Sequence, residues 1–350
     1  MLAVTFYEEA LSASNWVEGM ARIKDVAELA GVNRSTVSRI INGEGKFKEE
    51  TKKKVEWAMA QLNYRPSAIA RSLATSSSNM VGLLVTYYTG GFFGEMMDRV
   101  QTELDQHNKF LITAQGHHSA QGERDAIQRF HDLRCDGYVL HSRYLSDDDL
   151  RELAQQTTPF VLLDRYVEGL EERCITFDHR AASLIAVNHL IHQGHRQIGC
   201  ITGPSQRYNS QLRKQGYLDA MKQIENQGGR ALCIEGDYGR KSGYRAMQVL
   251  LEREPTLTAV FSCSEEMTIG ALQYLHEKKI AVPEQISIVS FDSVDLCESL
   301  YPTVTAVHFP ISEMAEVAVQ TLIHLIKDQP LTPIDGFQPI LKRRNADRTI

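Results

Sequence analysis

The 350-residue sequence lacks long hydrophobic runs, and its cysteines are few and scattered. Because no stretch of about 18 apolar residues occurs, the sequence predicts no membrane-spanning helix. The six cysteines form no C-x-x-C pair, so each is expected to be a small core residue rather than part of a disulfide framework. Residues 1–19 lack the basic start and the apolar core of a secretory signal. Together these absences predict a protein of the reducing cytoplasm.

The signatures of common catalytic sites are missing as well. The sequence contains no G-x-S-x-G, no H-E-x-x-H and no phosphate-binding loop, and Gly236-Asp-Tyr-Gly239 lacks the remaining glycines of a dinucleotide-binding turn. His189, His192 and His195 recur at three-residue spacing, but a metal site would need a further ligand. A solvated helix terminus is therefore the favoured interpretation of these histidines. We predict that the protein is not an enzyme and needs no metal or cofactor.

Charge is unevenly distributed along the chain. The overall composition is typical of a globular protein, with 43% hydrophobic and 23% charged residues, and the length predicts about two domains with room for a small third. Residues 21–79 carry eleven basic and six acidic side chains, whereas the whole chain has a net charge of -6. A basic head before an acidic body suggests an electrostatic partner for the head alone. A charged surface on a small helical unit is the alternative.

The basic head has the pattern of three short helices. A first helix between Ile23 and Ala30 would stop at Gly31, and Asn33 is placed to cap a second helix. A third helix is expected from Lys48 to Leu62. A helix, a glycine-containing turn and a second helix form the helix-turn-helix pattern, although any small three-helix bundle resembles it.

Hydrogen-bonding side chains cluster on the second predicted helix. They are Arg34, Ser35, Thr36, Ser38 and Arg39. A recognition helix uses such groups to contact base edges and phosphates, and arginine can bridge the two acceptors of guanine in the major groove. The pattern therefore favours a DNA-reading helix over a merely solvated helix face.

Three motifs occur together in the head, and they are Lys24–Asn33, Ser35–Asn42 and Asn63–Ser67. In combination they resemble the N-terminal domain of the LacI/GalR family of bacterial transcriptional repressors, and the resemblance extends over residues 21–347. The stretch 115–136 most resembles the branch of that family that serves galactose and β-glucosides. The resemblance implies a homodimer that reads two half-sites of a pseudo-palindromic operator in double-stranded DNA.

The resemblance also implies a set of DNA-contacting residues and a hinge. The set comprises Asn33, Arg34, Ser35, Thr36, Ser38, Arg39, Asn42, Tyr64, Ala70 and Leu73. Residues 67–75 would become helical only on operator DNA, which agrees with the marginal stability of so short an isolated helix. Leu73 would then wedge into the minor groove and kink the duplex. A plain interdomain linker is the alternative.

From Met80 onward, short apolar runs alternate with helical stretches. The runs expected to form buried strands are 80–85, 109–113, 137–140, 160–163, 198–201, 259–261 and 286–290, with helices such as 93–107 and 181–193 between them. Alternation of this kind predicts parallel sheets covered on both faces. The predicted fold class is thus an N-terminal all-α helix-turn-helix headpiece followed by an α/β core. The core would contain two doubly wound parallel-sheet subdomains, which the resemblance likens to periplasmic binding proteins.

The resemblance places a small sugar-type effector in the cleft between the two subdomains, beyond the carboxyl ends of the strands. The implied contacts are Phe92, Phe93, Asp164, Arg213, Tyr238, Ser264 and Asp292. Aromatic rings suit the C–H faces of a sugar, and a guanidinium fork suits vicinal hydroxyls or a carboxylate. A solvated loop acid is the alternative for Asp164.

Three serines depart from the family pattern. Ser290 and Ser293 replace the glycine and the second aspartate of its Gly-Phe/Tyr-Asp-Asp motif, and Ser264 stands where asparagine is usual. Because serine is shorter and offers fewer hydrogen bonds than asparagine, either the effector differs at that hydroxyl or a water fills the gap.

These inferences divide the chain into four parts. They are an extension at 1–19, which is either a misassigned start or a disordered arm; a headpiece at 20–66; a hinge helix and linker at 67–79; and an effector-binding and dimerisation core at 80–346. The N-subdomain is expected at about 80–178 and 311–337, and the C-subdomain at about 180–309 and 338–346. The predicted function is a DNA-binding repressor of sugar-utilisation genes with no membrane partner. A sugar-binding protein without gene regulation is the alternative.

Overall fold

Two compact units make up the described part of the chain, and they divide between Ser78 and Asn79. The computed structural model describes residues 21–42, 45–65, 77–331 and 336–350. Within these ranges no helix is long and apolar enough to cross a membrane. The predicted N-terminal extension, the predicted hinge helix and the site residues Ala70 and Leu73 lie outside them.

The first unit contains the three helices that the sequence predicts. They are α1 (Ile23–Ala30), α2 (Arg34–Ile41) and α3 (Glu49–Gln61). Gly31 ends α1 in the left-handed conformation, with a φ of 65°, which glycine adopts without strain. The Asp25 carboxylate accepts a 2.7 Å hydrogen bond from the backbone N–H of Arg22, so α1 is capped although no hydroxyl precedes it. Asn33 is extended at the start of α2 and makes no side-chain capping bond.

A small core of its own stabilises this first unit. Val26, Val37, Val55 and Ala58 have no exposed surface in it. Val37 is the buried residue of α2, so its contacts with α1 and α3 determine which face of α2 is left to solvent.

Five parallel strands form the sheet of the first lobe of the second unit. They are β1 (Met80–Val85), β2 (Phe110–Gln115), β3 (Gly137–Leu140), β4 (Phe160–Leu163) and β5 (Cys174–Ile175), in the order β2-β1-β3-β4-β5. Three helices follow the first three strands, namely α4 (Gly91–Gln106), α5 (Ala120–Asp132) and α6 (Asp147–Leu153). Strands β3 and β4 are buried throughout, as expected for a parallel sheet covered on both faces.

Six strands form the sheet of the second lobe. They are β6 (Ile198–Thr202), β7 (Leu232–Glu235), β8 (Ala259–Ser262), β9 (Ser287–Asp292), β10 (Thr305–His308) and β11 (Ile340–Lys342). Their order is β11-β10-β9-β8-β6-β7, and β11 alone among them pairs antiparallel. Four helices belong to this lobe, namely α7 (His179–His192), α8 (Tyr208–Lys222), α9 (Arg240–Arg253) and α10 (Glu265–Glu277). The predicted pair of parallel-sheet subdomains is therefore confirmed.

The last long helix, α11 (Ile311–Ile326), returns from the second lobe to the first. It packs on α4 and against β3 and β4, and Arg99 of α4 pairs with Glu316 of α11. The first lobe is thus built from two chain segments, and all of the second lobe except β11 and the residues after it lies between them in sequence.

Two glycines allow α9 and α10 to approach closely. A Cβ atom on Gly270 would lie 1.9 Å from the carbonyl oxygen of Arg240, and one on Gly243 would lie 2.1 Å from that of Met267. Real side chains cannot occupy such positions, so both residues must lack a Cβ for the helices to pack in this way. The contact holds the N-terminal ends of α9 and α10 side by side at one end of the second sheet.

Candidate ligand-binding cleft and nucleic-acid interface

A cavity of about 550 Å³ lies in the second unit, at the carboxyl ends of strands from both sheets. Residues from both lobes line it. Six of the seven predicted effector contacts are among them, namely Phe92, Phe93, Asp164, Arg213, Tyr238 and Ser264. The volume suits a small organic ligand, so the structure brings these predicted residues together around one possible binding site.

One wall of the cleft is aromatic. Phe92 stacks on Phe309 with ring centroids 5.5 Å apart and planes 10° apart, and it meets Phe93 edge to face at 5.0 Å. Phe309 follows β10 and was not among the predicted contacts, because that strand was not recognised in the sequence. Flat apolar rings in this arrangement can pack against the C–H face of a sugar.

Asp164 lies at the base of the cleft and is 5% exposed. It follows β4 with a φ of 56°, in the left-handed region that aspartate adopts more readily than most residues. Its carboxylate pairs with Arg143 and accepts a 2.7 Å hydrogen bond from Nε2 of His179. The alternative of a solvated loop acid is therefore wrong.

His179 connects this acid in the first lobe with Arg213 in the second. Nε of Arg213 donates to Nδ1 of His179 at 3.2 Å, while Nε2 of His179 donates to Asp164. The two bonds together require a neutral imidazole with its proton on Nε2. The guanidinium of Arg213 also donates to the carbonyl oxygen of Cys263 and stacks on Phe291, 4.0 Å from the ring centroid. A lone histidine at the start of α7 carries no motif, so sequence reasoning missed this residue.

The pKa values of Asp164 and His179 agree with an ionised acid and a neutral imidazole. Burial lowers the pKa of His179, and Arg213 and Arg143 lower it further against the opposing effect of Asp164. Burial alone would raise the pKa of Asp164, but His179 and Arg143 outweigh it and hold that pKa well below its usual value. At neutral pH the acid is therefore ionised and the imidazole neutral.

We expect the core unit to lose stability as the pH falls below about 6.5, the ordinary pKa of histidine. Because the pKa of His179 is lower in the folded state, the unfolded chain takes up the proton first and is favoured. Asp164 causes a second loss of stability below about pH 4, because its pKa is also lower in the folded state and the unfolded chain again takes up the proton first. His141, whose pKa burial also lowers, contributes to the first loss. His179→Asn should make the decline between pH 7 and 5 shallower in denaturant titrations.

The matched control for this pH dependence is His131→Asn at an exposed position of α5. Its free energy of unfolding should follow the wild-type pH profile. A His179→Asn profile that overlays the wild-type profile at every pH would contradict the assignment of a neutral, buried His179.

Asp292 is not placed as predicted. It is 1% exposed, does not line the cleft, and accepts hydrogen bonds from the backbone N–H groups of Leu296 at 3.0 Å and Cys297 at 3.1 Å. Its carboxylate thus caps a short 3-10 turn, and the family's motif acid has a structural role in this chain. Ser293, the next residue, lines the cleft instead.

Ser264 and its neighbour Glu265 lie at the start of α10. The hydroxyl of Ser264 caps the helix by accepting a 3.2 Å bond from the backbone N–H of Met267, so its hydrogen-bonding capacity is partly used. Glu265 is buried, accepts a 2.6 Å bond from the hydroxyl of Ser293, and has a pKa raised by burial. It lines the cleft but was not predicted, because nothing in its sequence context marks it as buried.

The histidine cluster is not the solvated helix terminus that its spacing suggested. His189 is half-buried with its Nε2 2.7 Å from the carboxylate of Asp347, and His195 is buried between the Thr258 hydroxyl and the Arg348 carbonyl oxygen. His192 alone of the three is exposed. His189 and His195 therefore attach the C-terminal segment to the second lobe. Across the described ranges, no group of three His, Cys, Asp or Glu side chains is arranged to hold a metal.

The polar side chains of α2 form the candidate nucleic-acid interface. Arg34, Ser35 and Arg39 are exposed, and Thr36 and Ser38 are half-buried. The guanidinium of Arg39 lies over the ring of Phe47, 5.4 Å from its centroid. A recognition helix needs such a solvent-facing row of donors above an apolar face.

The other predicted DNA contacts that fall within the described residues lie next to helix ends. Asn33 precedes α2 and is exposed, and Asn42, which follows α2, is half-buried. Tyr64 packs against the core of the first unit, so part of its surface serves packing rather than binding.

Two family descriptions match different parts of the chain. Residues 22–67 match "Bacterial regulatory proteins, lacI family", and residues 187–345 match "Periplasmic binding protein-like domain". The first covers the helix-turn-helix unit, and the second covers most of the second lobe together with α11.

Individual proteins resemble the chain over nearly all of its length. The HTH-type transcriptional regulator GalR of Escherichia coli is 37% identical over 94% of this chain and 96% of its own. A crystal structure of the lac repressor dimer bound to operator and an anti-inducer matches 94% of this chain and 100% of that chain, with a TM-score of 0.83 and 25% identity. A sugar-binding transcriptional regulator of the LacI family from Escherichia coli matches 78% of this chain and 100% of that chain, with a TM-score of 0.70 and 31% identity.

Proposed function

Because this chain belongs to the LacI family of bacterial regulatory proteins, we propose that it represses sugar-utilisation genes under the control of a sugar-type effector bound in its cleft. Its helix-turn-helix unit makes it a DNA-binding regulator of transcription. The observation that carries the effector proposal is the Asp164–His179–Arg213 hydrogen-bond chain, which joins the two lobes at the base of the cleft. A ligand that changes this chain would change the equilibrium between lobe arrangements.

The DNA-binding part of the proposal assigns base and phosphate contacts to the exposed face of α2. Arg34, Ser35 and Arg39 are the foremost contacts, and Asn33, Thr36, Ser38, Asn42 and Tyr64 support them. Ala70 and Leu73 are assigned to a hinge contact in the minor groove. The lac repressor binds its operator as a dimer, and we assign the same assembly to this chain. The sequence-derived limits of the headpiece, hinge and two subdomains are part of this proposal.

The effector part assigns Phe92 and Phe93 to the sugar face, Arg213 and Asp164 to its hydroxyls, and Tyr238 to a covering ring. Tyr238 has a φ of 71°, which is a costly conformation for a bulky residue and is typical of ligand clamps. Asn209 supports the assignment, because its side-chain oxygen is buried without a hydrogen-bond partner among the described residues and the residue lines the cleft. Such an acceptor is suited to a sugar hydroxyl.

The alternative of a sugar-binding protein without gene regulation finds no support. It would leave the lacI-type unit and the exposed donors of α2 without a role. The relatives described above are transcriptional regulators, which agrees with the absence of catalytic motifs from the sequence.

The proposal is tested by selecting duplexes from a random-sequence pool and measuring their retention at several salt concentrations. We expect pseudo-palindromic sites to be enriched, and affinity to fall about 10³–10⁵-fold between 50 and 200 mM salt if six to ten phosphates are contacted. Arg34→Ala should weaken the selected sites by roughly tenfold or more, whereas Arg129→Ala, at an exposed position of α5, should not. A failure to enrich any duplex, with a flat salt response, would refute the DNA-binding assignment.

A further inference from the structure

Two guanidinium groups share one ring in the cleft. The guanidinium carbon of Arg207 lies 5.6 Å from the centroid of Tyr238, and that of Arg213 lies 5.8 Å from the same centroid. Among the described residues, neither guanidinium has a carboxylate within 4.0 Å. Both guanidinium groups therefore bring a positive charge to the cleft without an ion-pair partner in the described part of the chain, and an anion beside them would be stabilised.

The contacts of Arg207 are with uncharged groups. It precedes α8, donates to the hydroxyl of Tyr87 at 3.2 Å, and lies over the rings of Tyr87 and Tyr238. Burial by itself lowers the pKa of Arg207, but hydrogen bonds to Tyr87 and Tyr144 outweigh it and the pKa is raised. Arg207 is therefore a half-buried cation whose contacts with the first lobe offer no counter-charge.

Two carboxyl groups of the cleft accept hydrogen bonds from uncharged groups rather than from these arginines. Asp237 accepts from the Ser242 hydroxyl at 2.5 Å and from the backbone N–H of Gly239 at 2.7 Å. Glu265, which also lines the cleft, has a pKa raised by burial and accepts a hydrogen bond from Ser293.

The two remaining acids of the cleft have arginines of their own. Asp164 pairs with Arg143, and Glu266 pairs with Arg240 at 2.5 Å. Of the four arginines that line the cavity, Arg207 and Arg213 are thus the two without an ion pair among the described residues, although the charge of Asp237 also acts on Arg207.

We propose that the effector carries an anionic group, a phosphate ester or a carboxylate on a sugar, and that Arg207 binds this group. The inference rests on the proposed function. The forked guanidinium can bond two oxygens of either anion, and the rings of Tyr87 and Tyr238 hold it in place. Arg213, which also lies near the ring of Tyr238, contributes its charge, while the sugar ring packs on Phe92. Arg207 is accordingly a specificity-determining residue that separates charged sugars from neutral ones.

Matched neutral and charged sugars test this proposal on the full-length protein bound to a selected operator. The neutral arm uses glucose, galactose, ribose and cellobiose. The phosphate arm uses glucose 6-phosphate, galactose 6-phosphate and ribose 5-phosphate, and the uronate arm uses glucuronate and galacturonate. Inorganic phosphate alone is a separate arm. Melting temperature and operator affinity are both recorded. We expect at least one charged sugar to act at a concentration roughly tenfold or more below that of its neutral parent. The phosphate and uronate arms identify which anion is preferred.

Variants of Arg207 test whether this residue binds the anionic group of the effector. Arg207→Gln should remove the preference for the charged sugar and leave the response to its neutral parent within about threefold. Arg207→Lys keeps the charge without the fork, so it should restore part of the preference. Arg151→Gln makes the same change at an exposed site on α6 that pairs with Asp148, and it should behave as wild type.

The outcomes separate the two proposals. A neutral sugar that acts as well as every charged derivative, or an Arg207→Gln variant that weakens both forms equally, overturns the anionic effector but leaves the sugar-controlled repressor standing. An effect of inorganic phosphate equal to that of the sugar phosphates, and unchanged by Arg207→Gln, also overturns it. If no sugar of any arm changes melting temperature or operator affinity while DNA binding is intact, the proposed effector control itself fails.

Discussion

Replacing Arg213 with alanine is expected to weaken effector binding by roughly a hundredfold, because a buried, hydrogen-bonded charged group is lost from the site. Arg213 is 6% exposed and supplies the donor that orients His179, which in turn holds Asp164. Its removal therefore disturbs groups from both lobes at once. The variant should remain bound to operator at effector concentrations that release the wild-type protein.

The measurement is calorimetric titration with the sugar that most raises the wild-type melting temperature, followed by operator release with the same sugar. Operator affinity without effector should stay within about threefold of wild type, since Arg213 belongs to the core unit rather than to α2. Arg180→Ala, at the exposed start of α7, is the matched control. Because alanine also leaves His179 Nδ1 and the Cys263 carbonyl oxygen without their donor, Arg213→Lys is measured beside it. Normal effector affinity in a folded Arg213→Ala protein would remove this residue from the site.

Introducing aspartate at Val37 is expected to abolish operator binding altogether. Val37 has no exposed surface in the core of the first unit, and burying an unpaired carboxylate there would cost several kcal/mol. A unit of about 45 residues has a small core, so its free energy of unfolding is low. The helix-turn-helix unit should therefore unfold, and α2 would lose the face that it offers to DNA.

The core unit should be unaffected, because Val37 contacts residues of the head cluster alone. Differential scanning calorimetry should show the loss of the headpiece transition with the core transition unchanged, and effector binding to the core should persist. Ala60→Asp places the same carboxylate at an exposed position of α3, and it should retain specific binding. Normal operator affinity in the Val37→Asp protein would mean that α2 is not the recognition helix.

The helices of the headpiece were predictable because their signals are local. Gly31 ends α1 through its own backbone conformation, and the apolar periodicity of α1 to α3 directly encodes their buried faces. Of the four core strands that were missed in the sequence, β5, β7 and β11 have weak local signals, whereas β10 is largely buried. Strand β5 has two residues, β11 has three, and β7 is an edge strand without a fully buried residue. Their existence depends on neighbours far away in sequence.

The cleft was predictable only in part, for a related reason. Asp164 follows a strand that the sequence predicts, so topology alone places it at the cleft, whereas Tyr238 and Arg213 were identified through the family resemblance. His179, Arg207 and Glu265 acquire their roles from contacts across the two lobes, which no motif records. Asp292 does not line the cleft as predicted, because its carboxylate accepts hydrogen bonds from the backbone N–H groups of Leu296 and Cys297. A sequence motif does not reveal local hydrogen bonds of this kind.

The return of α11 to the first lobe has a consequence for how the chain is made. Ribosomes deliver residues 80–175, with all five strands of the first sheet, long before Ile311–Ile326 emerges. Until then, the faces of α4, β3 and β4 that α11 covers are exposed on the nascent chain, and such apolar surface is prone to aggregation. Strands β6 to β10 of the second lobe must also be synthesised before α11 can complete the first lobe. Folding of this protein is therefore completed only near the end of translation, and the first lobe is the part that most needs protection by chaperones.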